Sequence, residues 1–139
     1  MFKTVVGGAD GSPTAAEAVK TAVELVKLSG GKLHIVTAYK PQQYSSGSEE
    51  FAKSLDSGGV AESLLADFAS QARIAGVTVD VHPESGDPAH AICNVAKRVE
   101  ADLVGVGNKG MSGVRRVLGS VPNTVAHEAP CSVLIAQTT

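Results

Sequence analysis

The chain has 139 residues, 43% of them hydrophobic, 4% aromatic and none Trp, with a formal net charge of −2. That length and apolar content suit a single domain over residues 1–139 whose core needs no disulfide or metal staple. The same numbers leave no basic stripe or stacking platform for nucleic acid. No stretch approaches the ~20 uninterrupted apolar residues of a spanning helix, so neither nucleic acid nor a membrane is an expected partner.

Met1-Phe2-Lys3 runs straight into strand-like Thr4-Val5-Val6, which predicts an untargeted, cytoplasmic protein. The first predicted strand covers Lys3 to Gly8. Asp10-Gly11-Ser12-Pro13 then turns the chain, with Ser12 suited to cap a helix and Pro13 to open it. Ala15, Ala18, Val19, Ala22, Val23 and Val26 recur at threes and fours opposite Glu17, Lys20, Glu24 and Lys27, an amphipathic helix that Gly30-Gly31 stops. Leu33 to Tyr39 is apolar except for His34 and Thr37, as a strand in a sheet covered on both faces should be. Lys40 to Gly59 shows no sustained period and predicts one long loop, with a helical turn around Glu49 to Leu55.

Val60 to Ala75 predicts a second helix with Val60, Leu64, Phe68 and Ala72 inward, ended by Gly76. Val77, Val79 and Val81 alternate with Thr78, Asp80 and His82, the pattern of a half-exposed strand at a sheet edge. Asp87 as cap and Pro88 as first residue open a third helix, with Ile92, Val95, Ala96 and Val99 inward. Leu103 to Val106 is a fourth strand, Ser120 to Glu128 a last helix and Ser132 to Ala136 a fifth strand. Strands alternating with helices imply an α/β protein with a doubly wound, five-stranded parallel sheet. For strand order 3-2-1-4-5 the order reverses between strands one and four, and ligands bind outside the carboxyl ends of strands at such a point. The loops meeting there are Ala9 to Ser12 and Gly107 to Gly113.

Gly105-Val106-Gly107-Asn108-Lys109-Gly110 is a literal G-x-G-x-x-G, but a dinucleotide fingerprint also needs an acid at the end of the next strand, where Gln137-Thr138-Thr139 stand. A P-loop fails too, because Met111 occupies the lysine position. The remaining pattern is Gly107, Gly110, Gly119 and Ser120, with Lys109, Arg115 and Arg116 nearby and no carboxylate between Leu103 and His127. Glycines let backbone N–H groups approach an anion, and the Ser120-Val121 amides open a helix whose dipole favours negative charge, so a phosphate cradle is expected. The competing reading is a plain strand-to-helix connection in which glycine only relieves crowding. Asp10 stands where a carboxylate can face a base, a ribose or a phosphate-bound ion, or serve only its Asp-Gly turn. Catalytic groups are scarce: His34, His82, His90 and His127 lie on separate elements, no Ser sits in a nucleophile elbow, and Cys93 and Cys131 read as buried hydrophobes. No catalytic residue and no protein metal site are assigned.

The chain resembles the universal stress protein family. The resemblance rests on Val5-Val6-Gly7-Gly8-Ala9-Asp10-Gly11-Ser12, Gly86-Asp87-Pro88 with Ile92, Asp102 to Gly110, Leu118-Gly119-Ser120-Val121, and Ala129-Pro130-Cys131-Ser132-Val133-Leu134-Ile135. It implies a flavodoxin-like, adenine nucleotide alpha hydrolase-like fold, a regulatory role in the stress response, and a homodimer joined through Ser132 to Ala136. It also implies ATP as ligand, with AMP or cyclic AMP, or no nucleotide, in other members, and with Mg2+ accompanying the phosphates. Carried onto this sequence, Ala9 and Asp10 would meet the adenine and ribose side and Ala38 would line the base pocket. Val106 and Gly107 would border the ribose. Gly110, Gly119, Ser120 and Val121 would hold phosphates with Arg116 beside them. One departure stands out: the interval Met111 to Leu118 is one residue shorter than is usual in ATP-binding members. With no general base placed beside the glycines, any ATP hydrolysis would be slow. The alternative is a dimeric interaction protein of this fold that binds no nucleotide, or cyclic AMP.

Overall fold

A computed structural model describes residues 1–9, 13–39, 58–108 and 120–138. Its elements are β1 (Thr4–Gly8), α1 (Pro13–Ser29), β2 (Lys32–Tyr39), α2 (Gly58–Ile74), β3 (Thr78–Ser85), α3 (Pro88–Arg98), β4 (Leu103–Gly107), α4 (Val121–Glu128) and β5 (Ser132–Ala136). The strands form one sheet in the order β3-β2-β1-β4-β5, every pair parallel, as the alternation of periods predicts. The expected caps are present on α3 and α4. Asp87 accepts the His90 N–H at 3.1 Å with Pro88 behind it, and Ser120 accepts the Asn123 N–H at 3.4 Å. Ser12, read as the α1 cap, lies outside the described residues, as does the loop expected at Lys40 to Gly59 apart from its last two residues. Gly58 and Gly59 are already helical.

Two apolar clusters sandwich the sheet. On one face α1 and α2 bury Val19, Ala22, Val26, Leu65, Phe68 and Ala72 against Val5, Leu33, Ile35 and Leu103. On the other, α3 and α4 bury Ile92, Val95, Ala96 and Val125 against Val6, Val36, Val104 and Val106. Odd and even positions of the central strands thus go to opposite clusters, and both must be apolar because both faces are covered. The inward face of α2 differs from the sequence reading. Ala61, Leu65, Phe68, Ala69 and Ala72 are buried, whereas Leu64 is only partly so, because the stripe follows helical rows one residue along from the pattern assumed. Likewise Val99 caps α3 and is only partly buried. The edge position of β3 is as expected, with Val79 buried and Val81 exposed.

The chain enters the sheet under tight constraints. Asp102 accepts the N–H groups of Lys3 at 2.9 Å and Thr4 at 3.1 Å, and donates its own N–H to Thr4 O at 2.9 Å, fastening the start of β1 to the start of β4. Gly30 ends α1 with φ at 73°, and a Cβ on Gly31 would lie 2.6 Å from Lys3 O, so this predicted stop is also a required close approach. At the other end, a Cβ on Gly8 would meet Ile92 Cδ1 at 2.5 Å, so the bare strand lets α3 settle onto β1.

Candidate functional site

The sheet parts where its order reverses. The β1–β4 register ends at the pair Gly7 and Gly105, while β1 continues with β2 to Gly8–Val36 and β4 continues with β5 to Gly107–Ala136. Beyond that point Ala9 stays with β2: its N–H donates to Val36 O at 2.9 Å, and its carbonyl accepts the Thr37 hydroxyl at 2.9 Å. α1, which follows β1, packs on one face of the sheet and α4, which follows β4, on the other, so the carboxyl ends of the two central strands mark the point where sheets of this kind open a crevice.

Of the residues singled out in the sequence, Ala9 and Val106 are buried beside this crevice, and Gly107 is half-buried at its β4 border. Ala38, Val106 and Val121 belong to one apolar cluster, which brings the end of β2, the end of β4 and the start of α4 onto the same face. Ser120 caps α4 with an extended backbone, φ −141° and ψ 170°, and accepts from Asn123, so its hydroxyl proton is left to donate outward. The first turn of α4 carries no acidic residue, so no carboxylate of its own offsets the helix dipole there. Asp10, Gly110, Arg116 and Gly119 lie outside the described residues. The crevice therefore has an apolar flank at Ala38 and Val106 and a helix N-terminus with a hydroxyl at Ser120, an arrangement suited to a ligand with one flat apolar part and one anionic part.

Sequence reasoning missed three contacts made across the fold. Thr37 is buried at 5% exposure, and it interrupts the apolar run of β2 because its hydroxyl is needed to hold Ala9. Asn108 accepts from both the N–H and the hydroxyl of Thr138, which brings the chain beyond β5 to the end of β4. His34, 6% exposed, meets His82 across the β2–β3 ladder with Nδ1 and Nε2 2.9 Å apart. Around that pair Lys32 bridges Asp80 at 2.7 Å and Arg98 pairs with Glu84. The polar interruptions at His34 and Thr37 were the available signal, since a buried polar group requires a partner.

Burial pushes the Cys93 and Cys131 thiols above their ordinary range, which disfavours the thiolate. Both histidines of the pair are lowered, chiefly by burial, and the mutual repulsion of two imidazolium charges adds to this for His34. His90 lies between Asp87 and Glu128 and ties the start of α3 to the end of α4. Among the described residues no group of three or more His, Cys, Asp or Glu could hold a metal. No described helix is long and apolar enough to cross a membrane.

The fold defines a doubly wound α/β protein whose strand order reverses between β1 and β4. The family model described as the Universal stress protein family matches residues 1–137, and the chain belongs to that family. It is 38% identical over 144 residues to the universal stress protein Rv1636 of Mycobacterium tuberculosis, covering 99% of this chain and 98% of the relative. A putative universal stress protein of Staphylococcus aureus strain USA300 is 34% identical over 141 residues, with 99% and 85% covered. A crystal structure of a universal stress protein in complex with cAMP superimposes with a TM-score of 0.83 at 36% identity, over 99% of both chains.

Proposed function

We propose that this chain is an adenine-nucleotide-binding regulatory protein of the stress response, working in the cytoplasm as a homodimer. The observation that carries the reading is the split of the sheet between Gly7–Gly105 and the diverging ends of β1 and β4, with the N-terminus of α4, which has no acidic residue in its first turn, beside it. The cAMP complex of a 36%-identical protein supports an adenine nucleotide as the occupant. Ala38 and Val106 offer apolar contact to a base, and Ser120 with the first α4 amides offers donors to phosphate. The glycines Gly107, Gly110 and Gly119 suit the longer phosphate tail of ATP, which would bring Mg2+ on its own oxygens. Cyclic AMP is the second reading, favoured by the similar complex and by the shortened interval Met111 to Leu118. Dimerisation through β5 is supported by its place at the sheet edge and by Leu134, 37% exposed on a strand with one unpaired side.

Isothermal titration with ATP, AMP and cyclic AMP tests the proposal. Binding of at least one, weakened in Gly119→Val because a side chain enters the space phosphates need, is the expected result. No measurable heat for any of the three at millimolar ligand would sink it. Mass spectrometry of ligand released from freshly purified protein identifies which nucleotide is carried.

A further inference from the structure

The β4–β5 ladder ends at Gly107 and Ala136, yet the two segments stay joined beyond it through a side chain. Asn108 Oδ1 accepts two hydrogen bonds from Thr138, from the backbone N–H at 2.9 Å and from the hydroxyl at 3.0 Å. A Cβ placed on Gly107 would stand 3.1 Å from Thr138 Oγ1, 3.5 Å from its Cγ2 and 3.6 Å from the carbonyl oxygen of Thr14. Val106 points into the α3–α4 cluster, so Gly107 faces the opposite side, where Thr14 begins α1. The bare α-carbon of Gly107 is therefore the seat of Thr138 on the α1 side. A ligand entering from the α4 side does not by itself account for this glycine.

We propose that Asn108 and Thr138 are positioning residues, a latch that holds Gly107 and Asn108 at the carboxyl end of β4 and so fixes this border of the crevice against a bound nucleotide. The ligand half of this statement rests on the nucleotide reading given above. The latch half does not. Because one acceptor takes both donors of Thr138, the Asn108 amide plane is held from two directions, and the backbone carrying it is held with it.

The test compares Asn108→Ala, Thr138→Val and Thr138→Ser with the wild-type chain by amide hydrogen exchange without ligand and by titration with ATP and with cyclic AMP. Removing one hydrogen bond is expected to cost roughly fivefold and removing both up to about thirtyfold, in protection and in affinity alike. Asn108→Ala should expose the Thr138 and Asn108 amides and weaken the nucleotide that wild type binds. Thr138→Val should show a smaller loss, and Thr138→Ser, which keeps the hydroxyl donor, should match wild type. A merely space-filling role predicts the reverse order for the two Thr138 variants, since Val preserves shape and Ser does not, and that order would overturn the proposal. So would unchanged protection in Asn108→Ala, or lost protection with unchanged affinity. If wild type binds neither nucleotide, the nucleotide reading fails, and exchange alone decides the latch: lost protection in Asn108→Ala upholds it and unchanged protection removes it. Should Asn108→Ala fail to fold, the Thr138→Val and Thr138→Ser pair gives the same decision.

Discussion

Acidification should loosen this protein through the His34–His82 pair before Asp80 titrates. With ring nitrogens 2.9 Å apart, one imidazole must donate and the other accept, so the pair can hold at most one additional proton without losing its hydrogen bond. Both groups sit below their ordinary value of 6.5 in the folded chain, mainly because burial penalises the charged ring. The unfolded chain therefore takes up protons first: this contribution to stability is complete above pH 6.5 and declines as pH falls. Arg98 and Lys32 oppose protonation from α3 and β2, while Asp80 and Glu84 on β3 favour it. At pH 5.5 a ring that stays neutral costs about 1.4 kcal/mol relative to high pH, so two that both stay neutral give a ceiling of about 2.8 kcal/mol. Asp80 is lowered from 3.8 by its hydrogen bond to Lys32, and its contribution is lost only in a more acid window. Urea unfolding followed by circular dichroism at pH 7.5, 6.5 and 5.5 reads the effect as a midpoint shift of roughly 1 M. His82→Gln keeps a neutral partner for His34 and should remove about half of the pH-dependent loss. A flat wild-type midpoint from pH 7.5 to 5.5, or a His82→Gln variant that declines as steeply as wild type, would refute the reasoning.

Gly31→Ala should destabilise by about 1–3 kcal/mol, because its Cβ would fall 2.6 Å from backbone that cannot swing aside; a melting temperature within a degree of wild type would contradict this. Glu100→Gly should instead stabilise by about 0.5–1 kcal/mol. Glu100 follows the α3 cap with φ at 55°, a conformation that glycine adopts without strain, and a lower denaturation midpoint would count against the assignment. Ser120→Ala should cost about 1 kcal/mol through the lost α4 cap. Its nucleotide affinity, measured at a temperature where the variant is fully folded, should fall as well; unchanged affinity would remove Ser120 from the site.

The alternation of strands and helices could be read from the sequence because each layer imposes its own period. Val5, Val6, Leu33, Ile35 and Val36 are apolar in succession because both faces are covered, and Asp87-Pro88 and Ser120 announce helix starts through local chemistry. Of the glycine pattern, Gly107 stands at the border of the split, while Gly110 and Gly119 lie outside the described residues. Contacts made across the fold were hidden. Nothing near His34 in sequence points to His82, 48 residues away, and nothing near Asn108 points to Thr138. Gly107 was read as serving a ligand or a crowded connection, and the neighbour that claims its free space, Thr138 beyond the end of β5, was not foreseen. Local propensity carries information over one helical turn, while such pairings depend on the register of three strands.

The clasp between Asp102 and the amides of Lys3 and Thr4 joins residues 99 and 98 positions apart. During synthesis one side of β1 therefore has no strand to pair with until β4 has been made. At about 5–20 residues per second, that interval is roughly 5–20 s. For that time Val5 and Val6 present an open apolar edge of the kind that invites pairing with another nascent chain. Yield in the cell should thus depend on translation speed and on holding chaperones through the first hundred residues, even though the finished sheet buries both valines completely.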